Sequence, residues 1–196
     1  MKKLSTYLFL ILFSFSAPSF ADDISDFEIE GMSIGDSLLD YFSKKQIISN
    51  KVDYPYKNND FYAVRLDTLI SSETYDGGEV YLKTNDENYI IYHIFGAISF
   101  DNKNINDCYK KKDSIVAELS SLFKDVKKID DGTYAHLTDE TGESMITSVV
   151  FIFKSGDEAS VYCINWSKEL DKIYKDHLEV SIGSKEYSYW INNKAY

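Results

Sequence analysis

The sequence predicts an α+β protein with an antiparallel sheet of about seven strands and two or three helices packed on one face. Three observations support this fold class. Short runs of alternating apolar and polar residues recur along the chain. The turns between several of these runs are too short for parallel crossovers, so hairpins dominate. One long segment, residues 106–124, changes to helical periodicity.

The first half of the chain predicts one helix and three strands. Ile34, Leu38 and Phe42 fall at helical spacing after Ser33, which predicts a short amphipathic helix over residues 34–45. Gly, Asn and Asp residues mark the turns between the following runs. The strands are predicted over residues 61–69, 79–84 and 89–100.

The second half repeats this pattern loosely, with a helix and then a meander. Residues 106–124 carry an apolar stripe that includes Cys108, Ile115 and Leu119, which predicts the longest helix. Strands are predicted over residues 127–137, 145–153, 159–166 and 177–182, with a helical turn over 170–174. Ser184 is placed to cap a short C-terminal helix.

The N-terminal residues have the pattern of a signal peptide. Lys2 and Lys3 precede an apolar run over residues 7–13, and Ser19-Phe20-Ala21 places small residues before Asp22. We therefore predict residues 1–21 as a signal peptide, cleaved between Ala21 and Asp22, and residues 22–196 as a single α+β domain. An uncleaved anchor is the alternative. The run is shorter than the roughly 20 residues that span a bilayer, and no Cys lies near the cleavage point, so we expect no membrane anchor after cleavage. The predicted location is the periplasm or outside the cell.

The two cysteines, Cys108 and Cys163, are predicted to form a disulfide. An even pair of cysteines in an exported chain indicates a bridge, because the compartment is oxidising. Two separate buried thiols are the alternative. The predicted loop between them is long, so the bridge would restrict the unfolded chain strongly.

Charge and motifs exclude several classes of function. The net charge of −11 predicts repulsion from nucleic acid and anionic lipid. His93, His136 and His177 do not have the spacing of a metal site. The sequence has no nucleophile elbow, phosphate-binding loop or dinucleotide fingerprint. We therefore predict no catalytic residue, cofactor or metal, and favour a protein that is not an enzyme.

Aromatic residues are abundant, with 16 Tyr, 12 Phe and 2 Trp. Tyr89, Tyr92, Tyr187 and Trp190 form a candidate binding face for a peptide or sugar. Packing within the core is the alternative interpretation of the same residues, because aromatic stripes commonly pack against a sheet.

Several segments resemble known proteins. Residues 27–39, Asn106-Asp107-Cys108-Tyr109, residues 162–166 and the segment from Ser184 to Trp190 resemble small uncharacterised exported proteins of AT-rich marine alphaproteobacteria, over most of the chain. Gly31-Met32-Ser33 is also similar to the first helix start of the outer-membrane-assembly lipoprotein and β-lactamase-inhibitor-like fold. That resemblance implies helices on an antiparallel sheet and a function in binding proteins.

The predicted function is an exported binding module, without enzymatic activity, for an envelope protein or another envelope component. Two alternatives remain open. One is a hydrolase of an envelope polymer with an unrecognised site, and the other is a small-ligand-binding protein that uses an aromatic groove.

Overall fold

The computed structural model describes residue 24 and residues 27–100, 104–123 and 125–196. The predicted signal peptide, with its cleavage point between Ala21 and Asp22, lies outside these residues. Within the described part of the chain, no helix is both long and apolar enough to cross a membrane.

Eight strands of the described residues form one antiparallel sheet, so the predicted fold class is confirmed, with one strand more than expected. The additional strand is the two-residue β1. The strands are β1 (Lys51–Val52), β2 (Phe61–Arg65), β3 (Gly77–Lys83), β4 (Ile91–Ser99), β5 (Lys127–Ala135), β6 (Met145–Ile152), β7 (Glu158–Asn165) and β8 (His177–Gly183).

The sheet consists of two four-stranded meanders joined side by side. The strand order is β1-β2-β3-β4-β8-β7-β6-β5, so β4 of the first meander pairs with β8 of the second. At this junction Phe95 lies opposite Ser181 and Ser99 lies opposite His177. The loose repeat seen in the sequence therefore corresponds to the two halves of one continuous sheet.

In the part of the chain that the structure describes, three α-helices accompany the sheet: α1 (Lys44–Ser49), α2 (Ile105–Leu122) and α3 (Lys185–Asn193). The predicted helix over 106–124 corresponds closely to α2. Ser184 caps α3 as predicted, since its side chain accepts a hydrogen bond from the backbone N–H of Tyr187.

The helix predicted over residues 34–45 is wrong. A single 3₁₀ turn covers Leu38–Asp40, and α1 begins only after Ser43, which forms a capping box with Gln46. The cause is long-range pairing. The N–H of Gly35 donates to the carbonyl of Ile91, and the N–H of Leu38 donates to the carbonyl of Tyr89. These backbone groups bond to the chain that enters β4, so they are not available to a local helix.

The prediction that the helices pack on one face of the sheet is also wrong. Helix α2 packs Cys108 and Leu119 against one face, together with Val80, Val161 and Leu178 of the strands. Helix α3 packs on the opposite face, where Tyr187 and Trp190 contact a cluster with Phe61, Ala63 and Tyr81. Neighbouring residues such as Val80 and Tyr81 belong to different clusters, because side chains alternate across a strand. We call these surfaces the α2 face and the α3 face.

The disulfide between Cys108 and Cys163 is present, with an S–S distance of 2.00 Å. It joins the first turn of α2 to β7, and both cysteines are fully buried. The bridge therefore attaches the long helix to the second meander from within the α2-face core.

Candidate functional site

An exposed apolar surface lies at one end of the second meander, where the β5–β6 and β7–β8 connections emerge. We call it the Trp166 surface, and its residues are His136, Leu137, Trp166, Ile173 and Tyr174. Leu137 is 87% exposed, Ile173 is 73% exposed and Tyr174 is 49% exposed. Large apolar side chains grouped at such exposure are typical of contact sites for other molecules.

Three aromatic rings form the centre of this surface. The ring of Trp166 stacks on Tyr174 with centroids 4.8 Å apart, and the His136 ring lies 4.7 Å from the Trp166 ring. The Nε1 atom of Trp166 is buried and has no hydrogen-bond partner among the residues that the structure describes. The indole is therefore held by ring contacts, with its polar atom unused.

The β5–β6 loop that carries Leu137 is rigidly built around Asp139. The backbone N–H and side-chain O–H groups of Thr141 and Ser144 all donate to the Asp139 carboxylate, at 2.5–3.0 Å. These hydrogen bonds hold the pKa of Asp139 well below its usual range. The Oγ atom of Ser144 also accepts a hydrogen bond from the N–H of Ser167 at 3.0 Å, which connects the two loops of the surface.

The histidines near this surface are held neutral. Burial lowers the pKa of His136, and the nearby His177 lowers it further, although the charge of Asp139 opposes both effects. Burial likewise lowers the pKa of His177. Because neither ring carries a charge at neutral pH, the centre of the Trp166 surface is apolar in character.

Two buried glutamates lie on the α3 face. Glu79 of β3 is 5% exposed and Glu179 of β8 is 6% exposed. The O–H of Tyr54 donates to the Glu79 carboxylate at 2.8 Å, and Arg65 lies 3.6 Å from it. The O–H of Tyr162 donates to Glu179. Each carboxyl group therefore has a tyrosine partner.

Burial changes the acidity of both groups. It raises the pKa of Glu179 to about 8, helped by the charge of Glu79 and opposed by the Tyr162 hydrogen bond. Burial also raises the pKa of Glu79, against the lowering effects of Tyr54 and Arg65. Glu179 is thus largely protonated at neutral pH. A protonated carboxyl group can act as a general acid where a substrate reaches it.

The structure does not bring the four aromatic residues of the predicted binding face together on one surface. Tyr89 packs in the α2-face core, whereas Tyr92, Tyr187 and Trp190 lie on the α3 face. Tyr89, Tyr187 and Trp190 are only 9%, 6% and 2% exposed. These three side chains are buried and stabilise the fold, so they do not form an exposed binding face.

The sequence contains a signal for the Trp166 surface that periodicity does not detect. Leu137 and Ile173 are large apolar residues within polar connecting segments, where burial is not expected. Trp166 directly follows β7, and a Trp at a strand end is equally typical of the core. The pairing of β6 with β7, and of β7 with β8, brings these separate positions to one end of the sheet.

Comparison with known proteins does not assign a family. No family model matches the chain, and neither a curated protein nor a solved structure matches it at a level that would establish a relationship. Within the described residues, no group of three or more His, Cys, Asp or Glu side chains is arranged to hold a metal ion.

Proposed function

We propose that this protein is an exported binding module, without enzymatic activity, that docks an envelope protein through the Trp166 surface. The observation that carries the proposal is the exposure of Leu137, Ile173 and Tyr174 around a Trp ring at one end of the sheet. Trp and Tyr dominate the binding energy of many protein interfaces, because they bury a large area with few rotatable bonds.

The rigidity of the surface supports the same function. Asp139 holds the β5–β6 loop, and the Ser144–Ser167 hydrogen bond joins that loop to the β7–β8 connection. A surface that is already ordered loses little conformational entropy when a partner binds. The proposed periplasmic or extracellular location rests on the signal-peptide pattern, and the Cys108–Cys163 disulfide is compatible with an oxidising compartment.

The test is affinity capture from a periplasmic fraction, followed by measurement of Kd with the purified partner. A double variant, Leu137→Ser with Ile173→Ser, removes the two most exposed apolar side chains of the surface. We expect Kd to rise by at least about tenfold, which corresponds to about 1.4 kcal/mol. The melting temperature should stay unchanged, because both side chains already contact water.

A matched control lies at the opposite edge of the sheet. Ile48 in α1 is 59% exposed and Leu39 in the 3₁₀ turn is 41% exposed. The double variant Ile48→Ser with Leu39→Ser makes the same chemical change away from the Trp166 surface, and it should bind the partner like the unmodified chain. Equal affinity of the Leu137/Ile173 variant and this control would contradict the proposed surface.

A second candidate function is hydrolysis of an envelope polymer. The specific observation in its favour is the raised pKa of Glu179, with a second carboxyl group, Glu79, on the same face. Turnover of a peptidoglycan or peptide substrate that is lost in Glu179→Gln would support hydrolysis and count against the binding module. The low exposure of Glu179 favours the binding module.

A further inference from the structure

A cavity of about 400 Å³ lies beside β3 and β4, beneath the loop that connects β2 to β3. Its apolar part is lined by Ile29, Leu66 and Ile70. Ile29 and Leu66 are buried residues of the α2-face core. The cavity is therefore a concave opening that leads from solvent to the edge of the hydrophobic core, and its size suits a small organic molecule.

Tyr75 forms an aromatic wall of this cavity. Its ring lies directly over Gly96 of β4, since a Cβ atom at Gly96 would be only 2.6 Å from the Tyr75 ring. The backbone N–H of Tyr75 donates to Ser72 Oγ at 2.7 Å, which holds the ring's attachment point in place. The cavity thus has an ordered aromatic face beside its apolar part.

Three carboxylates line the opening of the cavity: Glu30, Asp67 and Asp76. The Oγ of Ser72 donates to Glu30 Oε1 at 2.7 Å, and the backbone N–H of Ser99 donates to Asp76 Oδ2 at 2.7 Å. No Lys or Arg is present among the described residues that line the cavity. The opening consequently carries negative charge that is not compensated within the lining.

We propose that this cavity binds an organic cation, with its ammonium or guanidinium head at the carboxylates and its apolar body against Tyr75 and the apolar part of the lining. A cation gains Coulomb energy at the opening and, beside an aromatic ring, cation–π energy as well. An anion is repelled, and a neutral molecule of the same shape gains only the apolar contact. This site is separate from the Trp166 surface, and the inference does not depend on the proposed function.

The test compares three probes that share one shape: phenethylamine, 2-phenylethanol and phenylacetate. Binding to the full mature chain is followed by chemical-shift changes or calorimetry at low salt. We expect phenethylamine to bind at least about fivefold more tightly than 2-phenylethanol, because one close carboxylate contributes about 1 kcal/mol even in water. The advantage should shrink as salt is added. Equal affinity for the amine and the alcohol would overturn the proposal.

Variants locate the site. Glu30→Gln and Asp67→Asn each remove one charge from the opening, and each should weaken phenethylamine binding by about threefold to fivefold. Glu73→Gln is the matched control, since Glu73 lies in the same loop, is exposed and does not line the cavity. If Glu73→Gln weakens binding as much as the other two, the effect is one of net charge and the cavity is not the site.

A further arm distinguishes a free amine from the side chain of a partner protein. The probe is a lysine-containing tripeptide with an acetylated N-terminus and an amidated C-terminus, so that the lysine ammonium is its one cationic group. If the tripeptide binds more tightly than phenethylamine, and Glu30→Gln weakens its binding, the ligand is identified as a partner's lysine side chain. Weaker binding would identify a free amine. If phenethylamine binds Glu30→Gln and Asp67→Asn as tightly as it binds the unmodified chain, the proposal is overturned for a free amine and for a partner's lysine alike.

Discussion

Glu179 lies on the α3 face of β8, and the residues on the other side of this strand belong to the α2-face core. Its neighbours Leu178 and Val180 are in that core, and Glu179 points to the α3 face among Tyr162, Ser181 and His177. The carboxyl group is 6% exposed. Removal from water disfavours its charged form, which explains why its pKa rises to about 8.

The first prediction concerns the pH dependence of stability. The pKa of Glu179 is raised above its ordinary value of 4.5 to about 8, so the folded state binds the proton more tightly than the unfolded state. The stabilisation that this proton provides is complete below about pH 4.5 and is lost as the pH rises through about 8. We expect Glu179→Gln to flatten the fall in melting temperature over this window.

The control for this prediction is Glu158→Gln. Burial also raises the pKa of Glu158, but this half-exposed side chain carries a smaller shift. Glu158→Gln should therefore change the dependence of melting temperature on pH less than Glu179→Gln does. Identical profiles for the unmodified chain and Glu179→Gln would show that Glu179 is ionised in the folded protein at neutral pH.

The second prediction concerns Gly96, a position where only glycine leaves room for the Tyr75 ring. A Cβ atom at this position would lie 2.6 Å from the Tyr75 ring. Gly96→Ala should therefore destabilise the protein by about 1–3 kcal/mol, the usual range for overpacking, and should disturb the cavity wall that Tyr75 forms. Urea unfolding measures the change.

Gly77 provides a matched control for Gly96. It lies on the neighbouring strand β3, lines the same cavity and would place its Cβ in open space, with no atom within 4 Å. Gly77→Ala should be neutral or slightly stabilising, because alanine reduces the freedom of the unfolded chain. Equal destabilisation by both variants would mean that the Tyr75 ring moves aside at little cost.

At the level of elements, the disulfide determines how α2 is attached. The bridge joins the first turn of the helix to β7, over a sequence separation of 55 residues. Ile115, Val116 and Leu119 continue the contact of α2 with the same face of the sheet. Covalent and apolar contacts together therefore hold the helix along its length.

The third prediction concerns that attachment. The double variant Cys108→Ser with Cys163→Ser should lose about 4 kcal/mol, because the unfolded chain regains the freedom of a 55-residue loop. The measurement is the free energy of unfolding in urea. The value for the double variant is compared with the values for the unmodified chain in its oxidised form and after reduction. If alkylation under denaturing conditions modifies two thiols in the protein isolated from cells, the bridge does not form in the cell.

Considered as a whole molecule, the protein carries its two candidate binding sites, the cavity and the Trp166 surface, at one end of the sheet. Ser99 at the end of β4 pairs with His177 at the start of β8, and Asp76 of the β2–β3 loop bonds to Ser99. The β2–β3, β5–β6 and β7–β8 connections consequently emerge at this end. The cavity and the Trp166 surface lie there in different meanders. Binding residues carried by loops at one end of a rigid sheet are a common arrangement.

Much of this architecture could be predicted because local sequence patterns determine it. The apolar run of residues 145–153, the short turn that joins it to residues 159–166 and the helical stripe of residues 106–124 each depend on residues close together in the chain. The segment Asp130-Asp131-Gly132 has the composition of a turn but is a bulge within β5, where Gly132 adopts a φ of 65°. A local pattern detects such an irregularity but does not show that the strand continues beyond it and pairs with β6.

The predictions that failed depend on long-range contacts. Residues 34–45 have helical spacing, yet the backbone of Gly35 and Leu38 bonds to residues that lead into β4. Tyr187 and Trp190 share a helical face as expected, but the face of the sheet that receives them depends on the course of the chain after β8. Periodicity shows which side of an element is apolar and does not show what covers it.

The sequence alone therefore determined the fold class, most of the strands and the long helix, because short-range periodicity suffices for these. It also predicted the pairing of Cys108 with Cys163, from the even count of cysteines and the signal-peptide pattern. Only the tertiary structure decided that the helices cover opposite faces, that Glu179 is buried and that the rings of His136 and Tyr174 meet at Trp166. The physical reason is that burial and proximity are created by strand pairing between residues far apart in the chain, as at the junction of β4 with β8.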